Sequence, residues 1–120
     1  MLDELPGIGP VFAIRIIKYR KLLGGYYSIN QLDEVYGLKP ETIQKFVHHV
    51  FIDTLKIEKI AINSDDFKKI NAHPYISFEQ TKAIFKFRGK QKITSLTQLK
   101  NAGIFSDEEI EKIRPYLVMY

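Results

Sequence analysis

Hydrophobic residues recur at helical spacing through the first fifty residues, in short runs separated by glycine and proline. Leu2 and Leu5 are three residues apart, and Ala13 and Ile16 fall on one face of a longer helical pattern. Gly7-Ile8-Gly9 lies between the two runs. The pattern predicts a helix, a tight turn and a second helix.

The turn has the features of an anion site. Pro10 stands at the first position of the second helix, where its missing N–H is not needed. Glycines at positions 7 and 9 allow positive φ and leave the neighbouring amides unscreened. Free amides and the positive end of the helix dipole favour a bound anion, and a phosphate is the obvious candidate. The alternative is a tight turn whose glycines serve geometry alone.

A similar pattern follows within the same fifty residues. Gly24-Gly25 should end the long helix, and Ser28 with Gln31 forms a capping box for a short helix. Tyr36-Gly37-Leu38-Lys39-Pro40 then predicts a second hairpin, with the proline again opening a helix. This hairpin keeps one glycine and has a lysine in place of the second.

These residues resemble the helix-hairpin-helix motif, and the wider chain resembles the ComEA type of competence DNA-receptor repeat. The resemblance rests on Leu2, Leu5, Gly7, Ile8, Gly9, Ala13, Ile16, Ile17 and Arg20. It implies an all-α fold in which two motifs pair and bind double-stranded DNA through phosphates, without reading bases. It also implies DNA uptake or handling at the cell envelope or periplasm, although a cytoplasmic location stays open. Val11 and Phe12 depart from the basic or small polar residues that the family often has after the proline.

The pattern begins again near residue 64. A shift of 68 places Ile16 on Ile84, and a shift of 67 places Ser28 on Ser95. We therefore expect tandem paired helix-hairpin-helix (SAM-like) modules of short helices: a first pair over residues 1–54, an extended linker over 55–63 and a second pair over 64–120. Ser64 and Asp65 should open the second copy's first helix, whose counterpart in the first copy would precede residue 1. We therefore expect the first copy to be truncated.

The second copy lacks the glycines of the first hairpin. Tyr75 and Ser77 stand where the shift places Gly7 and Gly9. Ser77 and Ser106 each begin an S-x-x-E/Q capping box, in which the hydroxyl accepts an amide that a phosphate would need. Acidic residues beside these serines would also repel a phosphate. The second copy is therefore expected to keep the fold and to lack backbone phosphate sites.

Charge is distributed unevenly between the two halves. The chain carries a net charge of +4 and has a pI near 9.2, which is compatible with a polyanionic partner. Residues 1–55 contain six basic and six acidic side chains, whereas residues 56–120 contain twelve and eight. The densest basic run is Lys82, Lys86, Arg88, Lys90, Lys92 and Lys100. It predicts either a solvated helix face or a surface that follows DNA beyond the first module.

Basic residues of the long helix supply the remaining candidates. Arg15, Lys18 and Lys21 are spaced to lie close together on its less apolar side. The predicted DNA-binding residues are Gly7, Ile8, Gly9, Val11, Arg15, Lys18, Lys21, Gly37 and Lys39. The alternative is a protein-interaction or scaffolding module of the same fold, with a partner bound through Val11 and Phe12.

No catalytic or cofactor signature accompanies these candidates. The chain has no cysteine, and the adjacent His48 and His49 cannot form an i, i+4 metal pair. His73 precedes a proline, so we expect it at a helix end or in solvent. There is no P-loop, nucleophile elbow or dinucleotide fingerprint, and no apolar run long enough to span a membrane. We expect a non-enzymatic protein without metal or cofactor.

Overall fold

A computed structural model describes residues 10–46 and 56–120, and these residues are mostly helical. The chain divides into two compact units, residues 1–57 and residues 58–120. The predicted all-α class is confirmed, because the β-structure of the described residues is one pair of two-residue strands. The predicted Gly7-Ile8-Gly9 turn lies outside the described residues, as do His48 and His49.

The first unit contains two α-helices joined through a short 3-10 helix. Helix α1 spans Pro10–Leu23, the 3-10 helix spans Ile29–Glu34 and helix α2 spans Pro40–Phe46. Each α-helix begins at its proline as predicted, because a first-turn residue needs no N–H for the helix.

Helix α1 ends at the two glycines that the sequence indicated. Gly24 and Gly25 have φ of 90° and 121°, values that side chains disfavour. Their N–H groups both donate to the Arg20 carbonyl oxygen, at 3.0 and 2.9 Å. The chain therefore leaves the helix within two residues.

The first unit's core forms against one face of α1. Ala13, Ile16 and Leu23 are buried there. The Tyr26 hydroxyl donates to the Ile16 carbonyl oxygen at 2.8 Å, so this buried ring keeps its polar end satisfied. The other buried apolar side chains among the described residues of this unit are Leu32, Val35, Leu38 and Ile43.

The predicted capping box at Ser28 is present. Its Oγ accepts the Asn30 N–H at 3.2 Å, and the Gln31 side-chain oxygen accepts the N–H groups of Tyr27 and Ser28 at 2.7 and 3.2 Å. The segment that follows is a 3-10 helix, and Val35 is its C-cap residue. The Val35 N–H donates to the Leu32 carbonyl oxygen at 3.1 Å.

The second unit places short helices between two paired strands. In chain order it has β1 (Ile60–Ala61), α3 (Phe67–Asn71), α4 (Phe78–Arg88), α5 (Leu96–Asn101), α6 (Asp107–Ile113), a 3-10 helix (Arg114–Tyr116) and β2 (Leu117–Val118). The strands are parallel, with Ile60 opposite Leu117 and Ala61 opposite Val118. Part of the segment that we predicted as a linker is therefore a strand of this unit.

The start of α3 differs from the prediction. Asp66, rather than Ser64 or Asp65, is the N-cap residue, and its carboxylate accepts the Lys69 N–H at 2.8 Å. The Asp65 carboxylate instead accepts the Ala61 N–H at 2.7 Å and pairs with the Lys69 ammonium at 3.1 Å. Asp65, which we expected to begin the helix, therefore forms a hydrogen bond with the strand instead.

The second unit's core is aliphatic with one fully buried tyrosine. The partly buried Asn63 side chain links two segments of the unit, since it donates to the Ile93 carbonyl oxygen and accepts the Ile93 N–H, both at 2.8 Å. The fully buried large apolar residues are Ile62, Ile70, Ile84, Ile93, Leu99, Ile113 and Tyr116.

Candidate nucleic-acid interface

Of the two predicted hairpins, the structure describes the one before α2. Gly37 has φ of +76°, the left-handed region that glycine tolerates. The buried Leu38 anchors the turn, and its N–H donates to the Val35 carbonyl oxygen at 3.1 Å. Lys39 is exposed directly before Pro40 opens the helix.

Arg15 of α1 lies against this hairpin. Its Nη1 donates to the Tyr36 carbonyl oxygen at 3.1 Å, and its guanidinium carbon is 5.0 Å and 5.5 Å from the ring centroids of Tyr36 and Phe12. A Cβ on Gly37 would lie 2.7 Å from the same Nη1. The glycine therefore leaves room for the guanidinium, which has further N–H donors beyond the one used here.

Among the described residues, no side chain caps the start of α2. Lys39 occupies the N-cap position, and a lysine side chain has no acceptor atom. Its carbonyl oxygen accepts the N–H groups of Thr42 and Ile43 at 3.0 and 3.1 Å. Within residues 10–46 and 56–120, no side chain accepts a hydrogen bond from the Lys39 or Glu41 amide. The hairpin thus combines uncapped amides with two cations, Lys39 and Arg15.

The remaining predicted residues lie on α1 or outside the described residues. Lys18 and Lys21 are exposed farther along α1, and Val11 is exposed in its first turn. Phe12 is partly covered, with Arg15 over its ring, so it is less available to a protein partner than expected. Gly7, Ile8 and Gly9 lie outside the described residues.

Comparison with known proteins finds a likeness in the first part of the chain. Residues 1–51 match the family model of the helix-hairpin-helix motif. This motif is generally associated with nucleic-acid binding and is typically not catalytic, and the match includes both predicted hairpins. No curated protein and no solved structure matches the chain.

The starts of α4 and α6 in the second unit are capped by side chains, in contrast to the start of α2. Ser77 Oγ accepts the Gln80 N–H at 3.0 Å, and the Gln80 side chain accepts the Ser77 N–H at 2.9 Å. Ser106 and Glu109 make the same reciprocal pair, at 3.2 and 2.9 Å. Both predicted capping boxes are confirmed, and each uses amides that an anion would need.

A contact that the sequence did not indicate joins these two capping boxes. The Gln80 side-chain N–H donates to the Glu109 carboxylate at 2.8 Å and to the Ile104 carbonyl oxygen at 3.1 Å. The Ser106 N–H, and after it the Gln80 amide, holds the pKa of the Glu109 carboxyl below its ordinary value, against a smaller effect of burial. A carboxylate thus lies between the paired helix starts and repels phosphate.

Tyr75, which the predicted repeat would place at the position of Gly7, belongs to a ring cluster. Its centroid lies 5.3 Å from that of His73 and 5.9 Å from that of Tyr116, and the Lys112 ammonium is 5.1 Å from it. His73 follows α3, as a helix-end role requires, but it is buried rather than solvated, and its Nδ1 accepts the Tyr75 N–H at 3.1 Å. Aromatic side chains and Lys112 therefore surround Tyr75.

Residues 10–46 and 56–120 contain no group of three histidine or carboxylate side chains that could hold a metal ion. None of their helices is long and apolar enough to cross a membrane.

Proposed function

We propose that the first unit binds double-stranded DNA without base specificity, through phosphate contacts at its two hairpins. The observation that carries this proposal is the uncapped start of α2 beside Arg15 and Lys39, where the second unit has Ser106 and Glu109. An uncapped helix start with adjacent cations favours an anion, whereas a serine cap with a carboxylate disfavours one.

The proposed contacts combine backbone and side chains. The amides of Gly7, Ile8, Gly9 and Val11 would hold one phosphate, and those around Gly37 and Lys39 another. Arg15, Lys18 and Lys21 would add charge along α1, where no carboxylate among the described residues pairs with them. Contacts made only to phosphates give binding that depends on salt and not on sequence.

We also propose that residues 64–120 form a second, degenerate copy of the first pair. The Gln98 side-chain oxygen accepts the N–H groups of Thr94 and Ser95 at 2.7 and 3.4 Å. The Gln31 oxygen makes the same two contacts at a spacing of 67 residues. The resemblance to ComEA-type repeats extends the proposal to DNA uptake or handling at the cell envelope.

The test is to exchange the helix caps of the two units. Lys39→Ser in the full chain should raise the free energy of unfolding of the first unit, since an N-cap serine stabilises a helix by about 1 kcal/mol. The same change should weaken duplex binding, because it removes a cation and covers an amide. Stability and affinity therefore move in opposite directions.

Ser106→Lys is the matched control. It removes a cap from the second unit and should lower its unfolding free energy by about 1 kcal/mol, and duplex affinity should stay within about two-fold of wild type. Fluorescence polarisation with a labelled duplex and urea unfolding measure the two quantities. Unchanged duplex affinity in Lys39→Ser would contradict the proposal.

A protein-interaction function is the second candidate. Val11, Ile14 and Leu22 lie on one side of α1 and are 59%, 53% and 53% exposed. Such an aliphatic row suits an apolar partner better than a phosphate backbone. This candidate takes the place of the DNA proposal if the wild-type chain shows no salt-dependent binding to a duplex.

A further inference from the structure

Three phenylalanine rings form a row on the surface of the second unit. Phe67 opens α3, and its centroid lies 5.7 Å from that of Phe78 and 5.3 Å from that of Phe85, both on α4. Phe78 is 54% exposed, and the other two rings are partly exposed. We call these three residues the aromatic row.

Cations accompany the aromatic row. The Lys82 ammonium is 5.2 Å from the Phe78 centroid, and the Arg88 guanidinium carbon is 3.6 Å from the Phe85 centroid. Arg88 is held in place, because its Nη1 donates to the carbonyl oxygens of Ile62 and Asp65 at 3.0 and 2.8 Å. The planar guanidinium thereby extends the ring surface rather than moving freely in solvent.

Positive charge predominates along α4 and the segment after it, whereas the carboxylates of Asp65 and Asp66, which precede Phe67, accept hydrogen bonds from backbone N–H groups. Between Glu79 and Asp107 the sequence has no acidic residue. Glu79 itself pairs with Lys82 at 3.4 Å, but both side chains are exposed, so this pair is weak and can open. The cations in this interval are Lys82, Lys86, Arg88, Lys90, Lys92 and Lys100.

We infer that the aromatic row and its lysines bind single-stranded nucleic acid. Exposed aromatic rings provide faces on which unpaired bases stack. Lys82 and Lys86 lie close enough to the rings along α4 to contact the phosphates that join the stacked bases. A duplex cannot use the rings in this way, because its bases are already stacked inside the helix. A protein partner would need to be strongly acidic to match the excess of lysine and arginine along α4 and the segment after it.

This inference is independent of the proposed function. It concerns the second unit, it uses side chains rather than hairpin amides, and its ligand has unpaired bases. The serine caps at Ser77 and Ser106 do not oppose it, because stacking needs no free helix amide.

The test compares the full chain with Phe78→Leu, which keeps an apolar side chain and removes the ring. Fluorescence polarisation would use labelled oligothymidylate, oligouridylate and a duplex. Since a base stacked on an aromatic ring contributes a large part of such binding, Phe78→Leu should lower affinity for both single strands about five-fold or more and leave duplex affinity unchanged. Similar binding of both strands would show that the surface accepts DNA and RNA alike.

Tyr120→Leu is the control, because Tyr120 is 75% exposed and lies outside the aromatic row. It should bind both single strands as wild type does. The inference is overturned if the wild-type chain binds neither single strand, or if Phe78→Leu and Tyr120→Leu bind them equally well. Lys39→Ser should not change single-strand binding. Failure of the duplex proposal can therefore be distinguished from failure of the single-strand inference.

Discussion

Replacing Gly37 by alanine should displace Arg15 from the hairpin. Gly37 and Gly103 have nearly equal φ, +76° and +75°, so alanine at either position carries the same backbone cost of about 1–2 kcal/mol. A Cβ at Gly37 would lie 2.7 Å from Arg15 Nη1, whereas a Cβ at Gly103 would have nothing within 4 Å. Gly103→Ala is therefore a control for the backbone cost alone.

The extra cost at Gly37 follows from the contacts that Arg15 gives up. Its hydrogen bond to the Tyr36 carbonyl oxygen is worth about 0.5–1.5 kcal/mol, and its stacking on exposed rings about 0.5–1 kcal/mol. Gly37→Ala should therefore lower the unfolding free energy of its unit by about 1–2 kcal/mol more than Gly103→Ala lowers that of the other unit. A displaced Arg15 should also lose its phosphate contact, which reduces the salt slope of duplex binding by about 1.

Two measurements on the full chain check this. Urea unfolding followed by circular dichroism and tyrosine fluorescence gives the stability of each variant, and polarisation with a labelled duplex at several salt concentrations gives the slope. Equal losses of stability in the two variants would show that the Arg15 contact contributes little. An unchanged slope in Gly37→Ala would show that Arg15 does not contact phosphate.

Two further predictions concern the helix starts. The folded-state pKa of Glu109 lies below its unfolded value, so this carboxylate stabilises the second unit above about pH 4.3, and the stabilisation is lost as pH falls through the folded pKa. The urea midpoint of Glu109→Gln, measured between about pH 3 and 7, should be lower than that of wild type at neutral pH and should vary less with pH. A pH profile equal to that of wild type would contradict this. Gly9→Val should weaken duplex binding because the valine side chain crowds the first turn. Ser77→Val should lower helix stability by about 1 kcal/mol and leave duplex affinity unchanged. Equal duplex affinities of the two variants in a titration would contradict the DNA proposal.

The features that sequence predicted well depend on neighbouring residues. Pro10 and Pro40 open their helices, and the paired glycines at 24 and 25 close α1. The capping boxes at Ser77 and Ser106 were also predictable, because the serine and its partner three residues later interact within one turn. Each of these signals acts over at most five residues, so no knowledge of the tertiary fold is needed.

The features that sequence missed join distant segments. Strand Ile60–Ala61 pairs with a strand 57 residues later. Two residues are too few for an alternation of apolar and polar positions to indicate this pairing. The hydrogen bond from Arg15 to the Tyr36 carbonyl oxygen spans 21 residues and depends on how α1 packs on the hairpin, whereas the phosphate contact of Arg15 stays a prediction. The contact between Gln80 and Glu109 spans 29 residues and likewise follows from packing.

Duplex binding by the wild-type chain as a function of salt tests the central proposal most directly. Phosphate contacts by the first unit predict a dissociation constant of about 10⁻⁴ to 10⁻⁶ M near physiological salt, with no preference among duplex sequences. If about two to four phosphates are neutralised, log affinity should fall against log salt with a slope of roughly −2 to −4. A chain that binds no duplex at low salt, or whose binding does not change with salt, would contradict the proposal.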